Sequence, residues 1–437
     1  MSKKESGRRE FLKASAGAAL VAGAVLTRAH AAEKNEIKVG VIGCGGRGRG
    51  AAENVLHASP NVKIVAMADV FEDRLKSSLS YLTNKTAKMR KVKELGNTID
   101  VPQERQFKGL NAYKELLATY CNYVILATPP GFLPMMLEAA VAAGKNIFTE
   151  KPVGVDPVGI RKVLKVAEEA KKKNLAIVAG TQRRHQTSYL EAMKKIQGGE
   201  IGDVVAARCY WNQGKLWSKP QEKEWSDLEW HIRNWLYFTW LSGDHIVEQH
   251  IHNIDVMNWG IGSHPLKAVG LGGRQQRTAP VYGHIYDHFA VDFEYPNGVH
   301  GLSMCRQIPD TAQNVSESFV GTKGDAFLKN RPAPSGKTRS KINGKRVTEL
   351  LENKPYEQEH TDLIESIRKG APLNELKRVA ESTLTAIMGR LACYTGKEVT
   401  WDFLLNKSTL NLMPKELSWT AKMKVDEVAI PGVTKLV

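Results

Sequence analysis

Cysteine is scarce. The 437 residues hold five: Cys44, Cys121, Cys209, Cys305 and Cys393. The number is odd, the spacing is wide and no C-x-x-C occurs, which excludes a disulfide framework and a zinc knuckle. A continuous apolar run of about 20 residues, the length a membrane span needs, is also lacking, so no stable span is expected in the mature chain. Acidic residues are outnumbered, 46 against 62 basic, for a net charge of +16. No nucleic-acid recognition motif accompanies that excess, so no nucleic-acid partner is expected. The chain has no repeat of solenoid type. Its composition, 42% hydrophobic and 25% charged, excludes collagen, coiled coil and wholesale disorder, and its length suits two domains.

The first 31 residues read as an address. Lys3, Lys4, Arg8 and Arg9 form a positive start, Ala14 to Leu26 a short apolar stretch, and Ala29-His30-Ala31 a small-x-small cleavage site. Arg8-Arg9-Glu10-Phe11-Leu12-Lys13 resembles the twin-arginine signal, with Gly7 where that pattern usually has Ser or Thr. Residues 1–31 are therefore expected to be a removable leader. The partner during export would be the twin-arginine translocon, which carries folded proteins, and the destination would be the periplasm or another extracytoplasmic space.

After the leader, Ile37 to Ile42 is an apolar run that fits a buried parallel strand. Gly43-Cys44-Gly45-Gly46-Arg47-Gly48 follows at once, then a helix from Arg49 to Ala58 and a strand from Val62 to Ala68 ending at Asp69. Each part of this pattern has a physical task. Gly43 permits the tight turn, Gly45 lets backbone approach a pyrophosphate, and Gly48 lets helix and strand pack closely. The helix N-terminus offers N–H groups to phosphates. Asp69 can accept hydrogen bonds from the adenosine ribose and would repel a 2′-phosphate, so NAD is favoured over NADP, although Arg74 stands nearby. Strand and helix continue to alternate: Asn122–Thr128, Leu133–Ala143, 145–148, Gly159–Lys173 and Leu175–Ala179. Such alternation predicts an α/β fold with a doubly wound parallel sheet. In such sheets ligands bind at the carboxyl ends of strands, which marks Thr128, Pro129, Glu150 and Lys151. Residues 75–105 fit the alternation poorly and are expected to form an inserted helix and loop.

Leu241 to Trp259 is the densest polar stretch and reads as one helix, on which Glu248 and His252, four apart, share a face. A neutral imidazole can take a proton from a hydroxyl, and an ammonium can stabilise developing alkoxide charge. His252 is the candidate base, Lys151 the electrostatic partner and Glu248 the substrate anchor, although Lys151 and His252 can exchange roles. His245, Glu248 and His252 match neither H-E-x-x-H nor H-x-x-E-H, and no metal is expected. Six of the nine tryptophans lie between Trp211 and Trp240. Indole faces can stack on a sugar, which makes Trp235 a candidate substrate contact beside Arg184, His185, Asp244 and His245. Later strands alternate in His288–Tyr295, with turns at Pro296-Asn297-Gly298 and Asn343-Gly344. Two helices, Glu359–Lys369 and Arg378–Tyr394, close the domain, and residues 401–437 read as a tail.

Glu150-Lys151-Pro152, combined with the glycine turn, resembles the Gfo/Idh/MocA oxidoreductase family. Thr128-Pro129-Pro130, Gly202-Asp203-Val204 and Glu248-x-x-x-His252-x-x-Asp255 follow in that family's order, and the resemblance covers roughly residues 36–400. Two positions depart from it: Leu133, where many members carry His, and Glu248, where the usual residue is Asp. The resemblance implies an N-terminal Rossmann domain (32–158) and a second α/β domain built on an open, mainly antiparallel sheet (159–400). It also implies NAD as cofactor, a sugar or polyol as substrate, and a homo-oligomer. With the export signal it predicts an oxidoreductase that carries its NAD tightly and recycles it. The alternative is glycoside cleavage through a transient keto-sugar. Relatives that do this are expected to lack Glu-Lys-Pro.

Overall fold

The computed structural model describes residues 36–437; the leader and its cleavage site lie outside the described residues. Two sheets carry the fold. The first contains β1 (Ile37–Ile42), β2 (Val62–Asp69), β3 (Thr98–Ile99), β4 (Gln106–Lys108), β5 (Tyr123–Leu126), β6 (Asn146–Thr149) and β7 (Ile177–Ala179). Its order is β3-β2-β1-β5-β6-β7, with β4 also on β2, and every pairing is parallel. β1 and β5 are almost wholly buried, because helices cover both faces, and this explains their uninterrupted apolar runs. The expected doubly wound sheet is present.

Three details differ from the expectations. The first helix is Gly46–Ala58, so it starts inside the glycine turn and not at Arg49. Residues 75–105 form the helix Glu72–Asn84, a short helix Arg90–Glu94 and β3 at the edge of the sheet. The first sheet also runs past the boundary expected at residue 158. The helix Pro157–Lys172 buries Ile160, Val163 and Val166, and the chain then returns as β7 beside β6.

The second sheet contains β8 (Val204–Gln213), β9 (Lys267–Gly273), β10 (His288–Glu294), β11 (His300–Gln307), β12 (Asn314–Gly321), β13 (Gly324–Leu328), β14 (Lys341–Ile342), β15 (Lys345–Arg346) and β16 (Val399–Thr400). Its order is β15-β14-β13-β12-β8-β11-β10-β9-β16. All neighbours are antiparallel except β8 and β11. This is the open, mainly antiparallel sheet that was expected. The helix Leu376–Thr395 packs on β9 and β10 and also on the helix Pro157–Lys172, which ties the two domains together. The helix Pro355–Arg368 returns to pack on Gly46–Ala58.

The stretch 241–259 is not one helix. It is the end of Thr239–Ser242, then His245–Glu248, then the start of Ile251–Ile261. Gly243 and Asp244 both adopt φ 72°. The Asp244 carboxylate accepts a hydrogen bond from the His245 N–H at 2.5 Å, capping a new turn. Residues 401–437 form one short helical turn at Phe403–Lys407 and then an extended segment laid across the body. All five cysteines are free and buried. Among the described residues no helix is long and apolar enough to cross a membrane.

Candidate active site

A cleft of about 740 Å³ opens where the carboxyl ends of β1, β2, β5 and β6 meet the second domain. Its floor is the glycine turn. Gly43 has φ +91°, and a Cβ there would sit 2.6 Å from the Ala127 carbonyl oxygen. At Gly48 a Cβ would collide with the Gly43 carbonyl. Gly45 and Gly46 face open space instead. The helix Gly46–Ala58 has no side-chain cap and no acid in its first turn. Its first intrahelical bond runs from the Arg49 N–H to the Gly45 carbonyl. The N–H groups of Gly46, Arg47 and Gly48 therefore precede the hydrogen-bond ladder, an arrangement suited to a phosphate group.

Asp69 stands at the end of β2 and lines the same cleft. Its two carboxylate oxygens accept from the N–H groups of Cys44 (2.6 Å) and Phe71 (2.8 Å), which fixes its orientation and leaves lone pairs for a ribose. Burial raises its pKa. Thr128, Pro129 and Pro130 form the wall beyond β5. Arg47 lies over the Tyr356 ring at 4.8 Å and pairs with Glu150 and Glu359. Glu150 thus holds Arg47 at the rim of the turn. The open glycines, the uncapped helix and the acid at the β2 terminus fit a dinucleotide.

At the inner end, Lys151 donates to the Glu248 carbonyl at 2.7 Å and to its carboxylate at 3.0 Å. Lys151 comes from the first domain and Glu248 from the second, so the bond closes the cleft across both. His252 lines the same space. Its ring stacks on Trp211 with centroids 5.6 Å apart, and its Nδ1 is buried with no hydrogen-bond partner. Burial, then the positive charge of Lys151, holds its pKa well below the usual histidine value, so the imidazole is neutral. A neutral imidazole, an ammonium and a carboxylate at one end of a dinucleotide-shaped cleft can manage the proton of a hydroxyl.

Trp235 lines the cleft, but four candidate substrate residues do not. Arg184 grips the Asp255 carboxylate at 2.7 and 2.9 Å and lies over Trp259. His185 bonds Asp362 at 2.5 Å and approaches Glu375. Burial disfavours its charge, but these acids outweigh it and lift its pKa to about 9. The Asp244 oxygens are taken by the N–H groups of His245 and Tyr286 and by the Tyr394 hydroxyl; burial raises its pKa to about 6. His245 bonds Gln307 at 2.6 Å and faces the Trp211 carbonyl at 3.5 Å. It supports the Trp211 strand, and burial drives its pKa to about 3. Each of the four is bonded to partners within the protein and none lines the cleft, so the reading as substrate contacts is corrected to a structural one.

Other lining residues escaped sequence reasoning. Gln249 sits between Glu248 and His252 in the polar stretch, where it could have been picked. Lys219 and Arg233 reach in from the second domain, Tyr356 and Leu417 from farther along, and none of these four carries a local signal; Trp217, a member of the tryptophan cluster already noted, lines the cleft as well. Lys219 has no ion-pair partner among the described residues, and burial, then Arg74 and Arg233, lowers its pKa. Among the described residues no group of three His, Cys, Asp or Glu side chains is placed to hold a metal ion.

Fold and cleft together define an NAD-binding oxidoreductase. The family described as "Oxidoreductase family, NAD-binding Rossmann fold" matches residues 37–179, and that family's C-terminal domain matches residues 189–327. The chain belongs to this GFO/IDH/MocA family. It is 22% identical to scyllo-inositol 2-dehydrogenase (NAD(+)) of Bacillus subtilis, over 68% of this chain and 74% of that protein. With three further curated relatives the match spans only 51–64% of their length. Among solved structures, aldose-aldose oxidoreductase from Caulobacter crescentus has a TM-score of 0.64 at 16% identity, over 84% of this chain and 99% of that one. Scyllo-inositol dehydrogenase from Lactobacillus casei, with bound NAD(H) and scyllo-inositol, has a TM-score of 0.60 at 20% identity, over 84% and 99%.

Proposed function

We propose that this protein is exported folded by the twin-arginine route and oxidises or reduces a hydroxyl of a sugar or polyol, using an NAD that it holds tightly and recycles. The observation that carries the reading is the Lys151–Glu248 bond beside neutral His252, inside the cleft that the glycine turn floors. Bound NAD supplies the acceptor and donor of a hydride. Gly45, Gly46 and the first-turn N–H groups bind its phosphates, and Asp69 orients its adenosine ribose. His252 takes the proton of the reacting hydroxyl and returns it in the reverse direction. Lys151 donates a hydrogen bond to the same oxygen and stabilises negative charge there. Glu248 anchors a neighbouring hydroxyl, and Trp235 offers an apolar face to the ring.

The recycling of one cofactor draws support from the Caulobacter fold relative, whose name makes it an aldose-aldose oxidoreductase. The oligomer draws support from the outer face of the second sheet. Val269, Leu271, Leu302, Val320 and Phe327 are exposed on its strands, and the cross-strand register puts them on one side. A second copy of the chain would cover this apolar face. Leu271→Glu is expected to yield a smaller species by light scattering; an unchanged mass counts against that interface.

The function is tested by denaturing purified mature protein, identifying the released nucleotide, and screening the native enzyme on pairs of sugars and polyols. Stoichiometric NAD with coupled oxidation and reduction of two carbohydrates is the expected result. Release of aglycone from a glycoside with no net redox change would favour the glycoside-cleaving alternative.

A further inference from the structure

The C-terminal segment crosses the cleft, and the chemistry above gives it no task. It leaves the body at Ser408, whose carbonyl accepts from Arg161 at 2.8 Å. The Leu412 N–H donates to Asp156 at 2.9 Å, on the acid that caps the first-domain helix Pro157–Lys172. The Met423 N–H donates to Asp227 at 3.1 Å, in the second-domain helix Asp227–Arg233. Farther on, the Ala429 carbonyl accepts from Tyr286 at 2.8 Å. Residues 412–423 are therefore fastened at one end to each domain.

Between those fastenings, one side chain meets the cofactor cleft and a second packs on a residue of its wall. Leu417 lines the cleft. Trp419 lies against Phe71, with ring centroids 6.1 Å apart. The Phe71 ring also carries the Arg233 guanidinium at 3.8 Å, and Arg233 is paired with Asp73 and Glu229. The Phe71 N–H holds the Asp69 carboxylate at 2.8 Å. Tail, second domain and first domain thus converge two residues from the acid that marks the ribose end of the turn.

We propose that residues 412–423 form a strap over the adenosine end of the cleft that retains the dinucleotide between turnovers, with Leu417 and Trp419 as its contact residues. The proposal rests on the reading that NAD lies along the Gly43–Gly48 turn. A dinucleotide leaving by that end has to displace Leu417 and part the contact of Trp419 with Phe71. The backbone fastenings at 412 and 423 resist both movements.

The test compares the parent protein with a Leu417→Ala/Trp419→Ala double variant. Each is loaded with NAD, mixed with a large excess of a competing adenine nucleotide, and followed for release of NAD. The double variant is expected to release NAD at least tenfold faster while its nucleotide-free form melts as the parent does. Equal release rates overturn the strap. A second measurement needs no variant: amide hydrogen exchange across residues 412–423 of the parent should slow when NAD is bound, and unchanged exchange overturns the strap. A parent that binds no dinucleotide at all overturns instead the cofactor reading beneath it, so the two failures are told apart.

Discussion

Replacing Gly43 and Gly45 separately with alanine should damage the protein in different ways. At Gly43 the backbone holds φ +91°, and a Cβ would stand 2.6 Å from the Ala127 oxygen, 2.7 Å from its carbon and 3.0 Å from the Thr128 nitrogen. All three are backbone atoms, so no flexible side chain can yield. The unfavourable φ costs roughly 1–2 kcal/mol, and forcing a methyl into packed backbone costs about 1–3 kcal/mol more. Gly43→Ala should therefore lose about 2–5 kcal/mol, on the order of 10 °C in melting temperature, with or without NAD. At Gly45 the backbone is at φ −67° and a Cβ meets nothing within 4 Å. Alanine is a poorer helix cap than glycine by about half to one kcal/mol, and its stiffer unfolded chain offsets a similar amount. The nucleotide-free Gly45→Ala protein should melt within a few degrees of the parent. Its new methyl projects into the phosphate cradle, so NAD should bind at least tenfold more weakly, about 1.4 kcal/mol. Thermal unfolding with and without NAD reads both quantities, because a ligand raises the melting temperature according to its affinity. A Gly45→Ala protein that keeps the parent's full NAD-induced shift would refute the placement of the pyrophosphate.

Three further outcomes follow from the inner end of the cleft and its surroundings. Lys151→Met should lower kcat/KM about 10²–10³-fold while NAD binding, measured by calorimetry, stays within a few-fold; turnover at the parent's rate would remove Lys151 from the chemistry. Because burial and Lys151 hold His252 neutral, the acidic limb of kcat/KM should fall below pH 6.5, and His252→Asn should abolish turnover; a limb above pH 7 in the parent would contradict this role. His185 has a folded pKa of about 9, above the unfolded value of about 6.5. Its stabilisation, at most about 3 kcal/mol, is fully present below pH 6.5 and is lost as the pH rises through about 9. Asp362→Asn should therefore destabilise the protein in denaturant titrations at pH 6 and converge with the parent above pH 9; a gap that is constant with pH would contradict the pairing.

What could be read from the sequence was what neighbours in the chain decide. The turn from Gly43 to Gly48, the apolar runs of β1 and β5 and the acid at Asp69 form one local unit, and their spacing is their geometry. Lys151 and Glu150 were legible because a strand end fixes where its next residues go. The break at Gly243 and Asp244 was missed because the apolar spacing of Ile251, Ile254 and Met257 suits a helix on both sides of it. The sequence alone does not show that Arg184 and His185 are structural, because their partners Asp255, Asp362 and Glu375 lie far along the chain, where no local pattern announces them. Residues 401–437 show no periodicity for a related reason: the bonds that fasten the segment go to Arg161, Asp156, Asp227 and Tyr286, and those within it close only local turns and the link from Ser408 to Val437.

The most direct test of the whole account is a crystal structure of the mature protein loaded with NAD. The pyrophosphate should lie on the N–H groups of Gly46 and Arg47, the adenosine ribose on Asp69, and the nicotinamide between the Lys151 ammonium and the His252 imidazole. A nicotinamide at the Asp69 end, or a dinucleotide bound outside this cleft, would contradict it.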